Sequence, residues 1–161
     1  MLSTTITILV IATATGATVM GGSLFAFSTF VMAGLGELPP AHGAAAMQEI
    51  NKKAITPLFM VDLMGTAAGS AAIVWLAIVD WMTPVSPYLL SGASLYLLGV
   101  FVMTAAYHVP LNNALDAADP TTPDGAALWQ KYLRDWTRWN HVRAGAGIAA
   151  GVLLVVATQV G

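Results

Sequence analysis

The sequence predicts an all-α integral membrane protein, a four-helix bundle whose long last helix extends into the cytoplasm. Of its 161 residues, 57% are hydrophobic and only 9% are charged, whereas a soluble domain carries about 25% charged residues. Four apolar stretches follow one another, and at about 20 residues per crossing the chain accommodates four spans and little else. We therefore predict one membrane domain over residues 1–161, with spans at about 4–35, 55–80, 88–107 and 142–160.

The first predicted span has no charged residue before Glu37 and is rich in small residues such as Gly16 and Gly21. Small residues let helix backbones approach closely in lipid. The apolar run is too long for the core of a signal peptide and no Lys or Arg precedes it, so we expect a retained span. Pro39 and Pro40 are predicted to end this helix.

Two amphipathic surface helices are predicted, over about residues 44–53 and 125–141. No breaker separates the second from the last span, which predicts one continuous helix of about 35 residues, near 50 Å long. Lys and Arg concentrate in the segments 36–54 and 108–141. The positive-inside rule then places these segments in the cytoplasm and both termini outside, in a bacterial-type inner membrane.

A polar cluster stands at the end of the third predicted span, where His108 is followed one turn later by Asn112. Polar groups at the edge of a span are costly unless they pair or act. We therefore predict His108 as a catalytic residue and Asn112 as a substrate-binding residue. Pro110 is predicted to kink or end the helix at this point.

The last helix carries an aromatic face that ends in an arginine. Its members recur with helical spacing: Trp129, Tyr132, Trp136, Trp139 and Arg143. Such a stripe often forms a packing seam or an interfacial belt, and it also suits the stacking of a flat aromatic ligand. His141 lies on a different flank of the helix, and Asn140 lies between the two.

Asp62 is the one carboxylate clearly within a predicted span, roughly 8 Å beyond the start of its helix at 1.5 Å per residue. An ionised carboxylate there needs a partner. One hypothesis is a structural ion pair with Arg143. The other is a general base whose protonation is set by burial and by that arginine.

Metal chemistry has a candidate ligand set in His108, His141 and Asp62. Two histidines and one carboxylate match non-haem iron, and two histidines suit copper or haem. The familiar local ligand spacings are missing, so we predict that no cofactor is required, with iron, copper or haem as the alternative. The chain has no cysteine, which excludes disulfides and thiolate metal sites.

Nucleic acid is not an expected partner, because no basic patch is large enough to bind it. Walker, dinucleotide-binding and nucleophile-elbow patterns are also missing. The small-residue motifs Gly65-x-x-x-Gly69 and Gly147-x-x-x-Gly151 pack helices either within one bundle or between copies. The sequence therefore leaves homo-oligomerisation open.

Four motifs, in order along nearly the whole chain, carry a family resemblance. They are Gly22-x-x-x-Ala26-Phe27-Ser28-x-Phe30-Val31-Met32, Met47-Gln48-x-Ile50-Asn51, His108-x-Pro110-Leu111-Asn112 and Trp136-x-x-Trp139-Asn140-His141-x-Arg143. With these motifs the sequence resembles the anthrone oxygenase-like family of small four-span membrane proteins. The resemblance implies a four-span bundle and, as in the fungal polyketide members, oxidation of an anthrone to an anthraquinone by O₂ without an added cofactor.

We accordingly predict a membrane oxidoreductase, a monooxygenase that uses O₂ on a lipophilic aromatic substrate, anthrone- or quinol-like, by base-assisted deprotonation. This chemistry needs an apolar aromatic slot, a base and donors for the enolate oxygen. The candidate catalytic residues are His108, Asp62 and His141. The candidate substrate-binding residues are Asn112, Trp136, Trp139, Asn140, Arg143, Phe27, Ser28 and Asn51.

Two other functions stay open at this point. One is a metal- or haem-binding membrane oxidoreductase that uses His108 and His141. The other is a non-enzymatic membrane binding or assembly module, in which the polar cluster holds a partner or a lipid headgroup.

Overall fold

The computed structural model describes residues 2–82 and 84–160, which form helices and short connections and contain no strand. Five helices lie within these ranges: α1 Thr4–Gly36, α2 Pro40–Ala54, α3 Pro57–Val79, α4 Val85–Asp116 and α5 Pro123–Gln159. Helices α1, α3, α4 and α5 are long and apolar enough to cross a membrane. The predicted all-α class with four membrane helices is confirmed, and α5, with 37 residues, is the long last helix.

Hydroxyl side chains fix where three of the membrane helices begin. Ser3, Thr56 and Thr122 precede α1, α3 and α5, and each side-chain oxygen accepts a hydrogen bond from a backbone N–H in the first turn. Such caps satisfy donors that have no partner inside the helix. Pro57 and Pro123 occupy the first helical positions, where a missing N–H costs little.

The helices come closest where small residues face each other. A Cβ added to Gly147 of α5 would lie 2.9 Å from the Cα of Gly21 in α1, and one added to Gly92 of α4 would lie 3.0 Å from Leu154 in α5. Gly69 of α3 similarly faces Thr13 of α1. Backbones therefore touch in this half of the bundle, as small-residue packing in membranes requires.

Helices α1 and α4 also contain wide π-helical turns. These turns span Phe27–Val31 in α1 and Leu95–Val102 and Thr104–His108 in α4. The helix does not end at Pro110, contrary to one of the two expected outcomes, and continues to Asp116. Pro110 lies two residues after the end of the last π-helical turn, inside the continuous helix, where it removes one backbone N–H donor.

Helix α2 lies across one end of the bundle and is tied down at two points. The Nε2 atom of Gln48 donates to the carbonyls of Leu115 and Ala118, at 2.8 and 2.9 Å, where α4 ends. A Cβ on Gly43 would lie 3.0 Å from the indole of Trp129. The helix begins at Pro40 rather than near residue 44, because Pro40 itself occupies the first turn.

Candidate functional site

A cavity of about 350 Å³ lies beneath α2, between α1, α3 and α4. Its walls are mainly apolar, and the apolar side chains include Phe27 from α1, Met47 from α2, Phe59 and Leu63 from α3, and Phe101 from α4. Trp136 and Arg143 of α5 complete the wall. Mainly apolar cavities with a few polar groups, of roughly 300–1,000 Å³, are the usual form of small-molecule sites.

His108 supplies the cavity with a hydrogen-bond acceptor. The side chain is 1% exposed, and its Nδ1 atom lies 3.3 Å from the carbonyl oxygen of Met103. A carbonyl only accepts, so this contact favours the neutral tautomer with the proton on Nδ1, in which Nε2 keeps a lone pair. Nε2 is buried and has no hydrogen-bond partner within the described ranges. The ring is held by edge contacts with Tyr107 and Trp136, at centroid distances of 5.5 and 5.4 Å.

Arg143 brings an unpaired positive charge to the same cavity. Its side chain is 4% exposed, and its Nε atom has no acceptor. Across residues 2–82 and 84–160 it forms no ion pair. The hypothetical ion pair with Asp62 is not formed, since Asp62 instead accepts a hydrogen bond from Thr66 at 3.4 Å. A buried charge without a partner is costly, so the site favours an anion beside Arg143.

Two asparagines add polar groups to the wall. Asn51 of α2 is buried, and its Nδ2 atom has no partner among the described residues. The Oδ1 atom of Asn112 accepts from the Tyr132 hydroxyl at 2.7 Å and from Trp136 Nε1 at 3.0 Å. These two donors fix the orientation of the Asn112 amide, and its Nδ2 group is left for other acceptors.

The aromatic face of α5 is mostly a packing seam. Trp129 stacks on Tyr132 and Tyr132 on Trp136, with centroid distances of 5.8 and 5.9 Å and interplanar angles of 18° and 21°. Only Trp136 reaches the cavity, where Phe27 of α1 lies 6.2 Å from it, ring to ring. Trp139 is exposed and contacts Tyr107 and Arg138 on the outside of the bundle.

The structure brings six of the predicted site residues together around the cavity. They are Phe27, Asn51, His108, Asn112, Trp136 and Arg143. The other five lie outside its lining: Ser28, Asp62, Trp139, Asn140 and His141.

Asn140 has a visible structural role. It is fully buried, and its Nδ2 atom donates to the Leu24 carbonyl at 2.8 Å and to Ser28 Oγ at 2.7 Å. These bonds tie α5 to the π-helical turn of α1. His141, by contrast, is exposed.

The described part of the chain contains no cluster of side chains that could bind a metal ion. No three His, Cys, Asp or Glu side chains there lie close enough together to hold a metal ion. The candidate set His108, His141 and Asp62 is therefore dispersed over separate parts of the bundle.

Sequence reasoning missed the wall formed by α3. Phe59, Met60, Leu63 and Met64 line the cavity, yet they belong to an apolar span whose lipid-facing and inward-facing residues have the same composition. Thr104, one turn before His108, also lines the cavity. No local signal distinguishes these positions.

Comparison with known proteins identifies the family. A search of curated proteins and of solved structures gives no match. The family model described as anthrone oxygenase matches residues 57–153, a range that contains α3, α4 and most of α5, and with them His108, Asn112, Trp136 and Arg143. The match extends over more than half of the chain, which therefore belongs to the anthrone oxygenase family.

Proposed function

We propose that this protein is a membrane oxidoreductase that uses O₂ to oxidise a lipophilic aromatic substrate with an acidic C–H group, for which an anthrone is the model compound. One observation supports this most strongly. Three side chains that line one apolar cavity each carry a buried polar atom without a hydrogen-bond partner among the described residues: His108 Nε2, Asn51 Nδ2 and Arg143 Nε. A ligand that gives up a proton at one point and becomes an oxyanion at another complements this set.

The first step is proton transfer from the substrate carbon. The methylene of an anthrone lies between two aryl rings, and His108 Nε2 removes one of its protons as a general base. The electron pair of the C–H bond moves into the ring system, and the ketone oxygen becomes an enolate oxygen. His108 then carries the proton as an imidazolium.

Arg143 and the amides stabilise the charge that this step creates. A guanidinium in a water-poor cavity favours a developing oxyanion much more than it would in water. Asn51 and Asn112 have amide donors available for the same oxygen or for another oxygen on the substrate. Trp136 and Phe27 provide aromatic walls for the flat ring system.

The oxidation balances with O₂ alone. The enolate passes electrons to O₂ and a C–O bond forms, which gives a hydroperoxide once the imidazolium returns its proton. Loss of water then breaks the O–O bond and the remaining C–H bond and leaves a second ketone. The substrate supplies all four electrons, one oxygen atom enters the product and the other leaves as water, and the reaction thus requires no further redox partner.

We further propose the bacterial inner membrane as the location, with both termini outside. The positive side chains support this orientation, because Lys52, Lys53, Lys131, Arg134 and Arg138 all lie at the α2 end of the bundle. The cavity then lies near the cytoplasmic face of the membrane.

Oxygen uptake by detergent-purified protein with anthrone tests the proposed activity. We expect turnover that survives treatment with a chelator and is lost in His108→Ala. Turnover that disappears with the chelator would replace the proposal with a His-bound metal. Absence of turnover in every sample would contradict an oxygenase acting on anthrones and favour a binding or assembly module.

A further inference from the structure

The cavity has an opening on the side of the bundle, between α3 and α4. Helix α3 packs on α4 along Val85–Val102 and has no comparable contact with Thr104–Asp116. The two helices thus separate at the level of His108. Four side chains, Met60 and Met64 on α3 and Ala105 and Val109 on α4, line both sides of this gap, and we name the gap they form the side mouth.

The side mouth is open to the surroundings of the protein. Met64 is 46% exposed and Val109 is 43% exposed, although both also line the cavity. Ala105 is exposed as well. The neighbouring flank of α3 is closed, since Asp62 and Thr66 pack against Gly16 of α1.

The polarity of its side chains indicates whether the side mouth faces lipid or water. All four of its side chains are apolar, and both helices that carry them are membrane-spanning candidates. The exposed polar side chains that line the cavity from α4, Asn113 and Asp116, lie further along this helix, near its end. On the water side, Met47 and Asn51 of α2 are buried over the cavity, and only its edge, at Ile55 and Asn113 among other lining residues, is exposed.

We propose that the side mouth is the substrate entrance, through which flat, lipid-dissolved molecules pass sideways from the bilayer between α3 and α4. Met60 and Met64 suit this task because the methionine side chain is flexible and adapts to irregular apolar shapes. The entrance selects substrates by their partition into the membrane and by their thickness. Its use as an entrance rests on the proposed function, whereas its opening toward lipid does not.

Spin labelling tests the opening independently of activity. The chain contains no cysteine, so a nitroxide attached through Val109→Cys is the only label. In liposomes we expect this label to collide more often with O₂ than with a water-soluble nickel chelate, as a label at the exposed apolar Val152 of α5 should. A label at position 109 that collides more often with the chelate would show that the mouth opens to water and would overturn the proposal.

A bulky side chain placed in the side mouth tests whether substrates enter through it. With anthrone dissolved in the liposomes, Met64→Trp should lower kcat/KM about tenfold or more with a much smaller change in kcat, since uptake is hindered and the chemistry is not. Val61→Trp is the matched control, because Val61 lies on the same helix, is 68% exposed and does not line the cavity.

Equal kcat/KM values for the Met64→Trp and Val61→Trp proteins would refute the entrance. A wild-type protein that does not turn over anthrone would refute the proposed function instead. The opening toward lipid would then stand or fall on the label at position 109 alone.

Discussion

The two halves of this bundle use the same four membrane helices in opposite ways. In the tight half, around Val10, Ile73, Leu89 and Leu154, glycines bring backbones into contact. Thr13 there bonds within its own helix, to the carbonyl of Leu9 at 2.8 Å, whereas the buried Ser70 hydroxyl has no partner within the described residues. In the cavity half, beneath α2, the helices separate, and buried polar atoms of Asn51, His108 and Arg143 have no partner within the described residues.

The tight half stabilises the bundle, and the cavity half contains the candidate site. Buried polar groups are nearly always paired in native proteins. Among the described residues, four unpaired ones, on Ser70, Trp129, Thr137 and Asn140, are scattered outside the cavity lining, whereas the other three belong to residues of one cavity, and this grouping points to a ligand. The π-helical turns support the same conclusion, because Phe27, Thr104 and His108 belong to such turns and line the cavity. Isolated π-helical turns are frequent at functional sites. The tight half keeps the helices packed together, whereas the cavity half has buried polar atoms whose hydrogen bonds a ligand would complete.

The largest expected effect comes from substitution of His108, for which His141 provides the control. His108→Ala should lower anthrone-dependent O₂ uptake by about 10²–10⁴-fold, the usual contribution of a general base. His141→Ala should leave uptake within about twofold, since His141 is exposed and outside the cavity lining. An equal loss in both variants would show that the cavity does not separate a catalytic histidine from a surface one.

Arg143 provides the next test, because its substitution should lower activity without lowering thermal stability. Arg143→Met should lower kcat by about 10²-fold through loss of oxyanion stabilisation. Its thermal midpoint in detergent should not fall, because the substitution removes a buried charge that has no partner in the described structure. A midpoint that falls by several degrees would mean that Arg143 has a structural partner and that its charge is not reserved for a ligand.

In the tight half the expected effect is on stability alone. Gly147→Ala places a Cβ 2.9 Å from the Cα of Gly21, and overpacking of this kind costs about 1–3 kcal/mol. A Cβ on Gly145 meets nothing within 4 Å, so Gly145→Ala should be neutral or stabilise the helix by up to about 1 kcal/mol. Denaturant unfolding in detergent compares the two. Equal free energies of unfolding would contradict the close contact of α1 with α5.

The smallest effect is expected at Asp62. Asp62→Asn keeps the side-chain oxygen that accepts from Thr66 and changes no atom of the cavity lining, so turnover should stay within about twofold of wild type. A base at this position would instead require a loss comparable to that of His108→Ala. Turnover measured for both variants decides whether Asp62 or His108 takes the proton from the substrate.

Much of the architecture follows from the sequence because lipid imposes strong rules. Four long apolar runs specify four helices, and the continuous pattern from Ala126 to Val160 specifies one long last helix, as observed. His108 and Arg143 stand out because polar groups inside such runs are rare. These signals are one-dimensional and depend only on composition and spacing.

The shape of the cavity could not be predicted in the same way. Met64 and Val61 are both apolar and exposed, yet only Met64 borders the cavity, and this depends on how α3 is rotated in the bundle. The absence of an ion pair between Asp62 and Arg143 depends on the same rotation. The widened turn at Thr104–His108 has no residue signature, so the direction in which His108 points became known only from the fold.

The most direct test of the account is an anaerobic spectral titration of the purified protein with anthrone. Without O₂ the reaction should stop after proton transfer, and the bound substrate should show the red-shifted absorption of its enolate. The enolate signal should be lost in His108→Ala and strongly reduced in Arg143→Met. Binding of anthrone only in its neutral form, or an enolate signal that both variants retain, would contradict the claim that the unpaired atoms of the cavity exist to take the proton and hold the anion.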